Sequence, residues 1–167
     1  MRPRLSLKGR GVQLLSQREH SRTELRRKLL RHARAALADP LATPPSAEPT
    51  VASVNPEEQV EAVLDWLQAE SYLSEERFVE SRVHARASRF GNMRIRQELA
   101  QHGVTLEAEA AQRLKESELA RAQAVWRRKF GRVPSDATER ARQARFLAGR
   151  GFSGEVIRRV MQGAVDE

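Results

Sequence analysis

Apolar residues recur at three- and four-residue intervals along most of the chain, the period of helices with one buried face. A short helix is expected over residues 11 to 19, stopping before Ser21. Ser21 and Glu24 then have capping-box spacing, with Glu24 able to reach back to the Ser21 amide. The helix they open carries Leu25, Leu29 and Leu30 on one face and Arg22, Arg26 and Arg27 towards the other. Pro56 opens a helix with Val60, Val63, Leu64 and Leu67 inward, ending near Tyr72-Leu73. Ser74, Glu75 and Glu76 start another, running through Phe78, Val79 and Val83 to about Arg89. Gly91-Asn92 breaks the chain before the helix of Ile95 and Leu99, which His102-Gly103 stops. Thr105 is expected to cap a helix over 106 to 116, and another runs to Phe130-Gly131. Pro134-Ser135-Asp136 begins one that ends at 149 to 151, and Ser153 caps the last. That makes about nine helices and no convincing strand, so the expected fold class is all-α.

One pattern returns three times: EHSRTELRRKLL (Glu19 to Leu30), FGNMRIRQELAQ (Phe90 to Gln101) and FSGEVIRRVMQG (Phe152 to Gly163). Each has a capping-type residue (Ser21, Gly91, Ser153) four positions before a branched apolar one (Leu25, Ile95, Ile157). An arginine follows (Arg26, Arg96, Arg158), and an apolar residue lies a turn further on (Leu29, Leu99, Met161). Copies spaced by 70 and 62 residues argue for an array of helix–turn–helix units. Nine helices side by side would extend on the order of 70 Å as an upper bound, so an elongated molecule is expected.

Composition adds a break in this array. Five of the seven prolines fall in ALADPLATPPSAEPTVASVNP, residues 36–56, which reads as a flexible linker. A coil of about 20 residues spans roughly 25 Å, so its two flanks can still pack together. With 40% hydrophobic but only 5% aromatic residues, the core must be aliphatic, which suits helix packing. Cysteine is absent, which excludes disulfides, thiolate nucleophiles and cysteine metal sites and fits the cytoplasm.

The net charge of +8 and pI near 11.0 favour a polyanionic partner, either nucleic acid or an acidic protein surface. The charge is segregated. Residues 1–34 hold eleven Arg or Lys against Glu19 and Glu24, whereas residues 57–80 hold eight acids against Arg77. No stretch approaches the roughly 18 apolar residues of a membrane span. The start, MRPRLSLKGRGVQ, lacks the apolar region of a secretory signal and reads as a basic tail over residues 1–10.

Catalytic chemistry finds no foothold. Gly149-Arg150-Gly151-Phe152-Ser153-Gly154 fits G-x-G-x-x-G, but a helix precedes it where a dinucleotide site needs a strand. It reads as a helix-to-helix turn. His20, His32, His84 and His102 have no paired metal spacing. His20 occupies the place of Phe90 and Phe152 just before the cap, which suits a hydrophobic staple. No Ser/His/Asp set or phosphate-loop lysine can be assembled, so no enzyme, cofactor or metal is expected. The arginines remain. They greatly outnumber the four lysines (Lys8, Lys28, Lys115, Lys129), and the guanidinium fork binds carboxylate or phosphate bidentately.

Four segments resemble the RecX family, bacterial regulators of the RecA recombinase: REHSRTELRRKL (Arg18 to Leu29), YLSEERFVESRV (Tyr72 to Val83), FGNMRIRQELAQHGV (Phe90 to Val104) and RQARFLAGRGFSGEVIRRVM (Arg142 to Met161). They cover all three copies in the family's order. The chain departs from the family at Ser71, where Gly is usual, at Asn92, where Pro is usual, and in its longer proline-rich insert. The resemblance implies an elongated array of three three-helix repeats. Residues 11–73 (with the linker) would form the first, 74–118 the second and 119–167 the third.

A monomer is the default expectation. The resemblance also implies a protein without enzymatic activity that lies in the groove of the RecA filament on single-stranded DNA. There it would inhibit filament extension, ATPase, strand exchange and coprotease activity, in DNA repair and SOS regulation. The residues expected to face that partner are Arg22, Arg26, Arg27, Arg94, Arg96, Arg158 and Arg159, with Leu25, Ile95 and Ile157 as core anchors. Direct DNA contact stays open. The competing reading is a helix-turn-helix nucleic-acid binder that acts independently of RecA.

Overall fold

The computed structural model describes residues 5–38 and 55–163, so most of the proline-rich linker expected at 36–56 lies outside the described residues. The described residues hold eight helices and no strand. They divide into two compact units, within Met1–Phe78 and within Val79–Glu167.

The first unit is a three-helix bundle of α1 (Leu7–Gln17), α2 (Arg22–Leu37) and α3 (Pro56–Ala69). Helix α1 starts earlier than the pattern predicted and takes in residues expected to be tail. The cause is a local cap: the Ser6 hydroxyl accepts from the Gly9 amide at 3.1 Å. Ser21 caps α2 as expected, accepting from the Glu24 amide at 3.1 Å. Asn55 caps α3, and Pro56 takes the first turn, where its missing N–H costs nothing. Leu14, Leu25, Leu29, Leu30, Val60, Leu64 and Leu67 form the core, all under 9% exposed. Leu73 closes it from beyond α3, its amide returning to the Leu67 carbonyl at 3.0 Å. This return needs a left-handed residue, and Ser71 supplies it at φ +61°.

Helix α4 (Glu75–Ala87) crosses the boundary between the units. The second unit then contains α5 (Asn92–Gln101), α6 (Ala108–Lys129), α7 (Ala137–Gly149) and α8 (Gly154–Gly163). Two helices were expected where α6 runs unbroken for 22 residues. Nothing between Ala108 and Lys129 is Gly or Pro, and Ser117 bonds back to the Leu114 carbonyl at 3.2 Å without capping a new helix. Thr105 is not the cap; Glu107 holds that position and makes no side-chain cap bond. Ala122, Val125, Trp126, Leu147, Phe152, Val160 and Met161 form the second core. The Trp126 indole donates to the buried Gln143 at 2.7 Å, satisfying both.

Candidate partner-binding surfaces

The three copies of the repeated pattern use their arginines differently. In the first, α2 faces the acidic side of α3. Arg22 donates to Glu61 at 2.9 Å, to Asp65 at 2.7 Å and to Gln68 at 3.0 Å. Arg26 donates to the same Glu61, and Arg34 meets Glu57 at 3.0 Å. Hydrogen bonds from Arg26 and Arg22 outweigh burial and hold the Glu61 carboxyl below its ordinary value. Burial lowers Arg22, but Asp65 and Glu61 more than offset this and raise it. Arg27, on the far side of α2, is exposed and pairs with no described carboxylate.

The expected capping box is only half made. Glu24 is 7% exposed, and its carboxylate is held by Arg18 and by Lys28 at 3.3 Å. Burial pushes Glu24 up, yet the hydrogen bond and charge of Arg18, with His20 and Lys28, bring it down to about 2. His20 is the buried staple predicted, at 1% exposed. It is also wired: Nδ1 lies 2.9 Å from the Arg18 carbonyl and Nε2 lies 2.9 Å from the Lys28 ammonium. A carbonyl accepts and an ammonium donates, so the ring carries its proton on Nδ1 and is neutral. Burial is the chief cause that lowers His20.

The second and third copies lock together backbone to backbone. The Gly91 amide donates to the Arg150 carbonyl at 2.9 Å and the Met93 amide to the Gly151 carbonyl at 3.1 Å. A Cβ at Gly91 would lie 2.3 Å from Gly151 backbone atoms. One at Gly151, where φ is +86°, would lie 2.5 Å from the Arg94 Cβ. The G-x-G-x-x-G match is thus a helix-to-helix turn in which only Gly151 is sterically required; Gly149 and Gly154 face open space.

A buried carboxylate and a half-buried guanidinium underlie this junction. The Glu118 carboxylate, 5% exposed, accepts from the Asn92 amide at 3.1 Å and the Ser153 amide at 3.4 Å, joining the starts of α5 and α8. Arg121 donates to the Ala87, Phe90 and Leu114 carbonyls, at 3.1, 2.8 and 3.1 Å, and to the Asn92 side chain. Burial lowers Arg121, opposed by the charge of Glu118. Proline at position 92 could donate nothing to Glu118, so asparagine here adds two bonds.

Around this junction Arg94 lies 4.7 Å from the Phe90 ring centroid, with Arg86, Arg89 and Arg150 at 5.8, 5.8 and 5.4 Å. Phe90 is therefore half-exposed under four guanidinium groups, unlike its buried counterparts His20 and Phe152. Arg94 and Arg96 are exposed and unpaired with any described carboxylate, and Met93 beside them is 64% exposed. Arg158 and Arg159 are likewise exposed on α8 and unpaired with any described carboxylate.

Leu25 and Ile95 are fully buried, as anchors should be, but Ile157 is only half-buried. Val156 and Val160 take the inner face instead, at 9% and 2% exposed. The third copy is apolar at two positions where the others carry Glu24 and Lys28 or Arg94 and Glu98. Its apolar stripe is wider, so Val156 and Val160 pack inward beside Met161 and Ile157 is left at the margin. Among the described residues there is no cluster that could hold a metal ion and no helix long and apolar enough to cross a membrane.

Fold and surfaces together define a class: an all-helical protein of helix–turn–helix modules that bury aliphatic faces and present arginines outward. Comparison with known proteins narrows it. The model of the third three-helix domain of RecX matches residues 116–161, and that of the second matches residues 74–108. The regulatory protein RecX of Ralstonia nicotianae is 48% identical over 162 residues, 96% of this chain and 89% of that protein. That of Leptothrix cholodnii is 48% identical over 168 residues, 99% of this chain and 94% of the relative. The chain belongs to the RecX family.

Proposed function

We propose that this chain is a negative modulator of RecA that binds the groove of the recombinase filament on single-stranded DNA. In this reading it limits filament extension, ATPase, strand exchange and coprotease activity. It does so by binding alone, as a cytoplasmic monomer with no chemical step of its own. The observation that carries the reading is membership of a family whose members are named regulatory protein RecX, with five of the seven expected arginines left exposed and unpaired among described residues.

Arg22 and Arg26 would have to leave Glu61 and Asp65 to meet a partner. The contact set is therefore Arg27, Arg94, Arg96, Arg158 and Arg159, joined by Met93, whose exposed thioether can follow an irregular protein surface. Many modest contacts suit a filament, because no single one need carry the affinity.

The test is RecA ATPase on single-stranded DNA, titrated with this protein at substoichiometric ratios. Inhibition by the unaltered chain, lost in a folded Arg94→Glu, Arg96→Glu variant, is expected. A flat ATPase rate with the unaltered chain would overturn the function; full inhibition by the double variant would overturn the surface.

A further inference from the structure

The filament reading leaves one feature of the second unit unused. The last turn of α6 and the end of α7 border a cleft of about 250 Å³. Val125 and Phe146 give it an apolar wall, Arg89, Arg128, Lys129 and Arg150 surround it, and no carboxylate lines it. Arg150 lies 5.1 Å from the Phe146 ring centroid and 5.4 Å from that of Phe90, and Lys129 lies 5.9 Å from Phe146. Arg128 donates to the Ser88 carbonyl at 3.3 Å. None of the four cations pairs with a described carboxylate.

Part of this charge has an ordinary explanation: basic residues in the last turn of a helix complement its dipole. That accounts for Arg128 and Lys129, and for Arg150 at the C-cap of α7, but not for the convergence of all three with Arg89, from the turn after α4, on one cleft. In the first unit the paired arginines meet carboxylates; in this cleft Arg89, Lys129 and Arg150 lie near aromatic rings instead. An aromatic face orients a guanidinium without neutralising it, so its in-plane N–H donors stay free for an anion.

The ligand must bring oxygen acceptors together with a flat or apolar surface. A carboxylate side chain offers only the first. A nucleotide unit offers both, and only a single strand has bases free to lie against Val125 and Phe146. We propose that this cleft binds the backbone of single-stranded nucleic acid directly, its phosphates held by Arg89, Arg128, Lys129 and Arg150. The proposal goes beyond the filament reading, since it requires no recombinase.

The test is fluorescence anisotropy of a labelled oligothymidylate with the full chain alone, from about 50 to 200 mM salt. Arg128→Ala with Lys129→Ala should weaken binding about tenfold and flatten the log–log salt slope by roughly 1.4, or about 0.7 for each lost phosphate contact. Arg89→Ala should weaken it in the same direction. Arg113→Ala with Lys115→Ala, at the other end of the same helix, should change affinity by less than about twofold. Circular dichroism would show that each variant keeps its helicity.

Equal losses in the cleft and control variants would overturn the site, as would absence of binding to the oligonucleotide. Competition by polyglutamate as effective as by unlabelled strand would reassign the cleft to an acidic protein. Duplex bound as tightly as single strand would overturn the choice of strand. ATPase inhibition that fails while oligonucleotide binding persists would sink only the filament reading.

Discussion

The two units carry equal numbers of acids but very different surfaces. Residues 1–78 contain twelve basic side chains against eleven acidic ones, whereas residues 79–167 contain eighteen against eleven. In the first unit Arg18, Arg22, Arg26, Lys28, Arg34 and Arg77 all meet carboxylates. In the second, Arg82 and Arg86 share Glu98, but Arg89, Arg94, Arg96, Arg128, Arg150, Arg158 and Arg159 meet none among the described residues. The same repeated pattern thus serves as an internal ion-pair seam in one place and an open cationic surface in another. Counting arginines gives the total charge; pairing decides how much of it a partner can use.

The largest test of this contrast removes the buried carboxylate on which the second unit is built. Glu118→Ala strands two amides and leaves the half-buried Arg121 without its negative neighbour. A loss of about 3 kcal/mol is expected, read by chemical denaturation. Hydrogen exchange should quicken at α5 and α8 and stay unchanged in α1 to α3. Uniform loosening of all these helices would erase the distinction between the units.

Gly91→Ala should cost about 2 kcal/mol, because the added methyl meets backbone that cannot rotate away. In the first unit Ser21 occupies the equivalent position and does no such work beyond its cap. A thermal melt within a degree of the unaltered chain would show that the turns are not in close contact.

Ser71→Gly should raise stability, by up to about 1 kcal/mol, since only the serine pays for a left-handed backbone. A lower melting temperature would contradict the φ of +61°.

Glu61→Gln tests the ion-pair seam. It should change stability by less than about 1 kcal/mol, because exposed pairs contribute little. If salt titration then shows stronger binding to polyanions, Arg22 and Arg26 were masked and not absent; unchanged binding would mean that pairing is not what silences them.

The smallest effect belongs to His20, near neutral pH. His20 lies below its ordinary value, so the unfolded chain takes up a proton first and stability declines as pH falls through about 6.5. Glu24 sits at about 2, so its contribution is complete above 4.5 and is lost as pH falls from there towards 2. Denaturation midpoints from pH 8 to 3 should therefore show a shallow first decline, absent in His20→Phe, then a steeper one. An unchanged first decline in that variant would put its origin elsewhere.

Most of the helices, several of their caps and the apolar anchors of the first two copies were written locally. Ser21, Asn55, Asp136 and Ser153 act on amides two or three residues away, and Leu25 and Ile95 are buried because helical period puts them beside Leu29 and Leu99. Family membership was equally legible, since it is a pattern of residue types in order. What tertiary structure alone decided is which charge faces which. Glu24 turned from the Ser21 amide to Arg18, Ile157 yielded its place to Val156, and two arginines expected to be free were taken by α3. Arg89, Arg128, Lys129 and Arg150 were gathered into one cleft from segments up to 61 positions apart. Caps depend on the nearest turn of backbone, whereas ion pairing depends on how helices distant in sequence come to rest against one another, and a one-dimensional pattern carries no angle between them.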